Sequence, residues 1–185
     1  MSKLQFAQSV SRLGTESAFV VLARAQKLAA QGHDIINLGI GQPDFSTPEH
    51  IVEAGIKALR DGHHGYTPAN GLPQLREAVA RDLNRRHSVE VNPDNVVAVP
   101  GGKPTMFFAI TLFGEPGAEI MYPNPGFPIY ESVIRYSGAT PVPIKLREEN
   151  GFAFNAEEVL SQITPKTRLI IINSPANPTG GVTPK

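Results

Sequence analysis

A chain of 185 residues is long enough for a domain with its own hydrophobic core, and 41% apolar with 18% charged residues is the balance of an ordinary globular protein. Seventeen Lys plus Arg offset seventeen Asp plus Glu, which removes any charge-based reason to expect nucleic acid or an anionic membrane as partner. With no Cys, disulfides, thiolate metal sites and a Cys nucleophile are excluded; the apolar stretches, such as Leu169–Ile172, are too short for a bilayer, and Met1–Gln5 has no apolar signal core, so a cytoplasmic location is expected.

In chain order, Glu16–Gln31 reads as a helix carrying Phe19, Val20, Leu22, Ala23 and Leu28, stopped by Gly32. Ile35–Leu38 reads as a short extended segment. Thr47-Pro48-Glu49 is a helix start: a capping hydroxyl, Pro at the first helical position, then an acid at the positive end of the dipole. Leu72, Leu75, Val79 and Leu83 recur at helical spacing, which predicts an amphipathic helix over Pro73–His87. The rhythm then changes to strands alternating with helices. Asn95–Val99 reads as a buried strand, Lys103–Phe113 as a helix stopped at Gly114, and Glu119–Tyr122 as a strand. Ile129–Tyr136 reads as a helix stopped at Gly138. Thr140–Leu146 reads as an edge strand because Pro141 and Pro143 lack ladder donors. Asn155 caps a helix through Ile163, and Arg168–Ile172 is a β-branched strand. The alternation implies an α/β fold with a mainly parallel sheet and right-handed crossovers. The expected division places an N-terminal arm and small-domain segment at 1–46 and the α/β body at 47–185.

The 17 Gly and 17 Pro are not spread evenly but gather in loops, and in an open parallel sheet ligands sit beyond the carboxyl ends of the strands. Three predicted strands run straight into such loops: Pro100-Gly101-Gly102-Lys103, Pro123-Asn124-Pro125-Gly126-Phe127, and Asn173-Ser174-Pro175-Ala176-Asn177-Pro178-Thr179-Gly180. Any one alone would be a tight connection; three on one side of a sheet make a ligand site. Gly101-Gly102-Lys103 at a strand-to-helix junction suits an anion, since glycines admit close approach and a helix N-terminus offers N–H groups. It is not a Walker A loop, because Val97 stands at the first glycine position and Pro104 at the Ser/Thr position. Gly39-Ile40-Gly41 is not a dinucleotide fingerprint, because Asp44 stands at the third glycine and Pro43 interrupts the helix. The adjacent His63 and His64 make a poor metal site, and no metal is expected.

Taken together, Leu38–Phe45, Gly65–Arg76, Gly101–Lys103, Pro123–Tyr130 and Asn173–Gly180 resemble the class I/II pyridoxal-phosphate-dependent aminotransferases of the aspartate aminotransferase fold. The five motifs fall in the family's order and span most of the chain. The resemblance implies part of the three-layer fold of that family, with pyridoxal 5'-phosphate as cofactor. It implies that the amides of Gly101, Gly102 and Lys103 hold the cofactor phosphate, which suits a dianion. Phe127 matches the aromatic that stacks on the pyridine ring, and Asn177 the donor to its phenolic oxygen; both would also border the substrate. Gly41 matches the backbone position beside the substrate carboxylate. Tyr66 matches the tyrosine that reaches the phosphate of a neighbouring subunit, which implies a homodimer with shared sites. Taken alone, Tyr66 would be a surface loop residue, Gly41 a turn glycine and Asn177 a turn former.

The implied reaction is amino-group transfer between an amino acid and a 2-oxo acid. It also requires a lysine that takes the cofactor covalently, an acid on the pyridine nitrogen and an arginine for the substrate carboxylate. In the family all three lie downstream of the Asn-Pro-Thr-Gly motif. Lys103 belongs to the phosphate loop, Lys27, Lys57, Lys145 and Lys166 fall on helix faces or turns, and Lys185 is terminal. No catalytic residue is therefore assigned within 1–185, and the chain alone is not expected to transaminate. Its sheet is expected to carry a gap, because the family places later strands between those matching Asn95–Val99 and Arg168–Ile172. A lyase or decarboxylase on the same scaffold would share all five motifs, and a non-catalytic aminotransferase-like binding module stands as the reading from another class. An unrelated nucleotide-binding domain is disfavoured by the two failed glycine patterns.

Overall fold

The computed structural model describes residues 4–14, 17–41 and 43–184; the expected helix start at Glu16, together with Gln42 and Lys185, lies outside them. The helices are α1 (Ser17–Ala30), α2 (Glu49–Arg60), α3 (Pro73–His87), α4 (Gly102–Phe113), α5 (Ile129–Ser137) and α6 (Ala156–Ser161). The strands are β1 (Glu119–Asn124), β2 (Thr140–Lys145) and β3 (Thr167–Ile170), with 3-10 turns at Gln8–Arg12, Pro93–Asn95 and Glu148–Asn150. The bounds of α3 are those expected: Pro73 occupies the first turn and Ser88 closes the helix in the left-handed region at φ 53°. Asn155 caps α6 by accepting from the Glu158 N–H.

Two expectations fail. The cap of α2 is Pro48, with no side-chain cap bond, so Thr47 does not serve as the capping hydroxyl. Ile35–Leu38 joins no sheet, and Ile36 and Leu38 are largely exposed. Asn95–Val99 forms no strand: Asn95 ends a 3-10 turn, and Val96–Val99 is irregular. Apolar runs of this length are stable as strands only when a neighbour completes the ladder.

The chain divides into two compact units, one made of Met1–Ala23 with Gly102–Lys185 and the other of Arg24–Gly101. The first is built on a parallel sheet of order β2-β1-β3. In β1 the pleat sends Ile120 and Tyr122 to one face and Met121 to the other. The first face packs on Ile110 of α4 and on Tyr130, Val133 and Ile134 of α5. The second packs on Ile144, Leu146 and Ala176, with Phe152, Phe154 and Val159 against them. Helices therefore lie on both sides of the sheet, giving this unit three layers. β2 pairs with β1 from Glu119↔Thr140 to Asn124↔Lys145 and forms one edge. The N–H groups of Thr140 and Leu146 donate to Ala118 and Asn124, so alternation turns positions 141 and 143 away from β1, where Pro loses no ladder bond. β3 forms the other edge.

In the same unit the Gln8–Arg12 turn is tied to the end of α5. Arg12 Nε donates to the Arg135 carbonyl at 2.8 Å and Nη2 to the Tyr136 carbonyl at 2.9 Å, and the Gly14 N–H donates to Ser132 Oγ at 2.9 Å. A cation thus meets carbonyls that the last turn of a helix leaves without internal donors.

The second unit holds α2, α3 and their connections. Its core is small, with Ala80 and Val96 buried. No helix among the described residues is long and apolar enough to cross a membrane.

Candidate functional site

In the unit containing the sheet, β1 and β3 are parallel neighbours, so their carboxyl-end loops emerge on one side of it. The loop after β1 carries Pro125, Gly126 and Phe127 into α5. The loop after β3 carries Asn173–Gly180. The structure brings Lys103, in the first turn of α4, beside the first of these: Lys103 Nζ lies 5.8 Å from the centroid of the Phe127 ring and 5.3 Å from that of Phe19. Phe127 is half-buried against the core, and its ring meets Tyr130 edge-on at 6.1 Å and 80°. Its packing is therefore that of a core residue on one side, while its ring also faces the Lys103 ammonium.

The turn before α4 has the shape an anion cradle needs. Gly101 adopts φ +86°, a conformation that an L side chain rarely takes, and a Cβ built at Gly101 or Gly102 would meet nothing within 4 Å. The space in front of both glycines is open. The Gly101 N–H donates to the Val99 carbonyl at 2.9 Å in a tight turn, whereas Gly102 opens the helix, where amides have no acceptor a turn behind them. This donor set, an open glycine turn at a helix start with a lysine and an aromatic face alongside, fits a phosphorylated aromatic ligand.

The loop after β3 is held by its own bonds. Ala176 is buried in the second core, its N–H donates to Gly181, Gly180 donates back to Ala176, and the Asn177 N–H donates to Asn173 Oδ1 at 2.8 Å. A Cβ at Gly181 would press on the backbone oxygens of Gly151 and Phe152 at 2.6 and 2.7 Å, so this turn requires glycine. Asn177 itself is exposed, and no hydrogen bond or ring contact joins it to Phe127 among the described residues.

In the unit Arg24–Gly101, Tyr66 is fully exposed in a loop, and Gly41 is exposed with open space where a side chain would stand. His63 and His64 lie nearby in the chain, and no group of three His, Asp or Glu placed to hold a metal occurs among the described residues. A largely apolar concavity of about 490 Å³ opens beside α4 in the first unit, lined by Leu13, Gly14, Lys103, Phe107, Ile129 and Ser132.

One network was not anticipated. Tyr122, at the carboxyl end of β1, donates to Glu131 Oε2 at 2.9 Å, and Glu131 Oε1 accepts from Arg135 Nε and Nη2 at 2.9 and 2.7 Å. It joins the two ends of the Phe127 loop. The Glu131/Arg135 spacing is a helical i,i+4 pair and was legible; Tyr122 reaches it only through the fold. Burial, followed by the Glu131 hydrogen bond and charge, pushes Tyr122 up to about 12 from an ordinary value of 10, while the Arg135 and Tyr122 hydrogen bonds hold Glu131 below its usual range. A raised tyrosine stabilises the fold fully below pH 10, and that contribution is lost as pH rises through about 12. Burial raises Tyr130 as well, so alkaline titration followed by tyrosinate absorbance is expected to show two late-ionising tyrosines, with loss of structure as pH passes through about 12. In Tyr122→Phe one of the two late ionisations should vanish; persistence of both would show that Tyr122 is not among them.

Residues 33–185 match the family described as aminotransferase class I and II. A probable aspartate/prephenate aminotransferase of Aquifex aeolicus is 40% identical over 176 residues, which are 95% of this chain and 45% of that protein. The aspartate aminotransferase of Bacillus subtilis is 35% identical over 177 residues, 96% of this chain and 45% of its own. Among solved structures, aspartate aminotransferase from Thermus thermophilus with maleate superposes with a TM-score of 0.91 at 36% identity, covering 98% of this chain and 48% of that one. Alanine aminotransferase from Pyrococcus furiosus gives 0.90 at 30% identity, covering 98% and 47%. The chain spans about half the length of the relatives it matches.

Proposed function

Because the chain belongs to the class I and II aminotransferase family, we propose that its loops hold pyridoxal 5'-phosphate, and that the whole protein transfers an amino group between an amino acid and a 2-oxo acid. The observation that supports this best is the approach of Lys103 to the Phe127 ring at the open glycine turn that begins α4. The names of the relatives, aspartate and aspartate/prephenate aminotransferases, support transamination over a lyase or decarboxylase on the same scaffold.

In this reading the amides of Gly102 and Lys103, with that of Gly101 once it leaves Val99, bind the phosphate, and the Lys103 side chain adds positive charge. Phe127 orients the pyridine ring and excludes water from one face. Asn177 donates to the ring's phenolic oxygen and, with Phe127, borders the substrate. Gly41 leaves its backbone open to the substrate carboxylate. Tyr66 reaches the phosphate from a second copy of the chain, so the working unit is a homodimer with shared sites. When bound, pyridoxal phosphate supplies the electron sink for the bond broken at the substrate's α-carbon.

Titrating the chain with pyridoxal phosphate, followed by absorbance, is expected to show saturable binding. Phe127→Ala should weaken it about tenfold, the ~1.4 kcal/mol of a lost aromatic stack. Equal affinity in the two chains would remove Phe127 from the site.

A further inference from the structure

The geometry points to Arg76 as a positioning residue for the glycine turn at Gly101; this rests on the reading of that turn as the phosphate cradle. The run from Val91 to Gly101, which contains the expected strand Asn95–Val99, forms no strand and takes hydrogen bonds from other parts of its own unit. Asn84 of α3 accepts from the Val91 N–H at 2.7 Å and donates to the Val91 carbonyl at 3.2 Å. Arg76 of α3, its side chain only 11% exposed, donates from Nε to the Pro93 and Val96 carbonyls, both at 3.0 Å, and from Nη2 to Asp94 Oδ1 at 2.7 Å. The Ala98 N–H donates to the Asn70 carbonyl at 3.0 Å. Gly71, at φ +98°, allows that approach: a Cβ there would stand 2.7 Å from the Ala98 Cβ.

Arg76 is the middle of these anchors in the chain, and it makes three of the bonds. A planar fork with several donors can hold two carbonyls and a carboxylate at once, and an ammonium on a flexible stem cannot reproduce that geometry. The last anchored residue, Ala98, lies just before Val99, the partner of the Gly101 N–H. The run that ends in the turn is therefore held within its own unit by Arg76 of α3 and by the Asn70 carbonyl. This gives the Gly65–Arg76 motif a role beyond Tyr66: its loop and its arginine both grip the run that leads to the cradle.

The test compares the wild-type chain, Arg76→Ala and Arg76→Lys by amide hydrogen exchange, with and without pyridoxal phosphate, and by cofactor titration. Arg76→Ala is expected to speed exchange at 94–101 about tenfold, leave 119–124 and 140–145 protected, and weaken pyridoxal phosphate about tenfold, as befits lost hydrogen bonds to a charged group. Arg76→Lys should fall between. Unchanged exchange at 94–101 overturns the inference. Faster exchange with unchanged affinity also overturns it, since Arg76 would then be structural only. If Arg76→Ala also loses protection at 119–124, the same criteria are applied to Arg76→Lys. If the wild-type chain gains no protection at 101–103 with pyridoxal phosphate, the cradle reading itself falls and takes the inference with it; protection in the wild type with equal affinity in both variants sinks the inference alone.

Discussion

Gly126→Ala is expected to destabilise the sheet-containing unit by about 3 kcal/mol, the upper end of the cost of overpacking, and to abolish measurable cofactor binding. A Cβ at Gly126 would fall well inside the van der Waals shell of the Pro123 carbonyl oxygen and press on the Pro123 carbonyl carbon as well. Both are backbone atoms of the strand end, and Pro123 is buried, so neither can swing aside. The strain must be relieved by the loop, and the next residue in that loop is Phe127. Gly102→Ala provides the contrast. Its Cβ meets nothing within 4 Å and it opens a helix, so stability should hold or rise by about 0.5–1 kcal/mol while cofactor affinity falls because the cradle is filled. Urea denaturation and cofactor titration on the two variants check both halves. Stability unchanged in Gly126→Ala would mean that the loop has slack the geometry does not show.

Ile120→Ala should cost about 2–5 kcal/mol, the range for a buried aliphatic side chain cut to a methyl. Ile120 is completely buried on the central strand and faces α4 and α5. A small three-stranded sheet has few such residues, so this loss is a large share of a domain's usual stability of about 5–15 kcal/mol. Ile51→Ala, on the exposed side of α2, should cost far less, since Ile51 is 52% exposed. A drop below about 1 kcal/mol for Ile120→Ala would show that the helical layer is not packed on β1 as described.

Much of the fold was legible because local signals and burial agreed. The Leu72–Leu83 spacing, Pro73 at its start and the arginines at its end all named α3, and the capping side chain of Asn155 named α6. Pro141 and Pro143 marked β2 as an edge, and the structure places it there. The expected strand at Asn95–Val99 failed for a physical reason. It has the composition of a strand, but a strand is a pairing, and composition does not say whether a partner exists. Asn95–Val99 instead answers to the Arg76 side chain and the Asn70 carbonyl, about 20 and 28 positions from their partners Val96 and Ala98, and no periodicity records such anchors. In the candidate site, glycine and proline loops after strands flagged the regions because backbone freedom and sheet topology are local rules. That Lys103 lies against Phe127, and that Tyr122 closes the Phe127 loop through Glu131, depend on α4 and α5 packing on the same sheet face.

The tie between Arg12 and the last carbonyls of α5 spans 123 residues of chain. On a ribosome adding about 5–20 residues per second, Arg12 therefore waits roughly 6–25 s for its acceptors to be made. During that interval Gln8–Arg12 lacks the carbonyls on which it docks. Its docking must follow the formation of α5, so a segment synthesised well before that helix becomes a late seal on it rather than its seed.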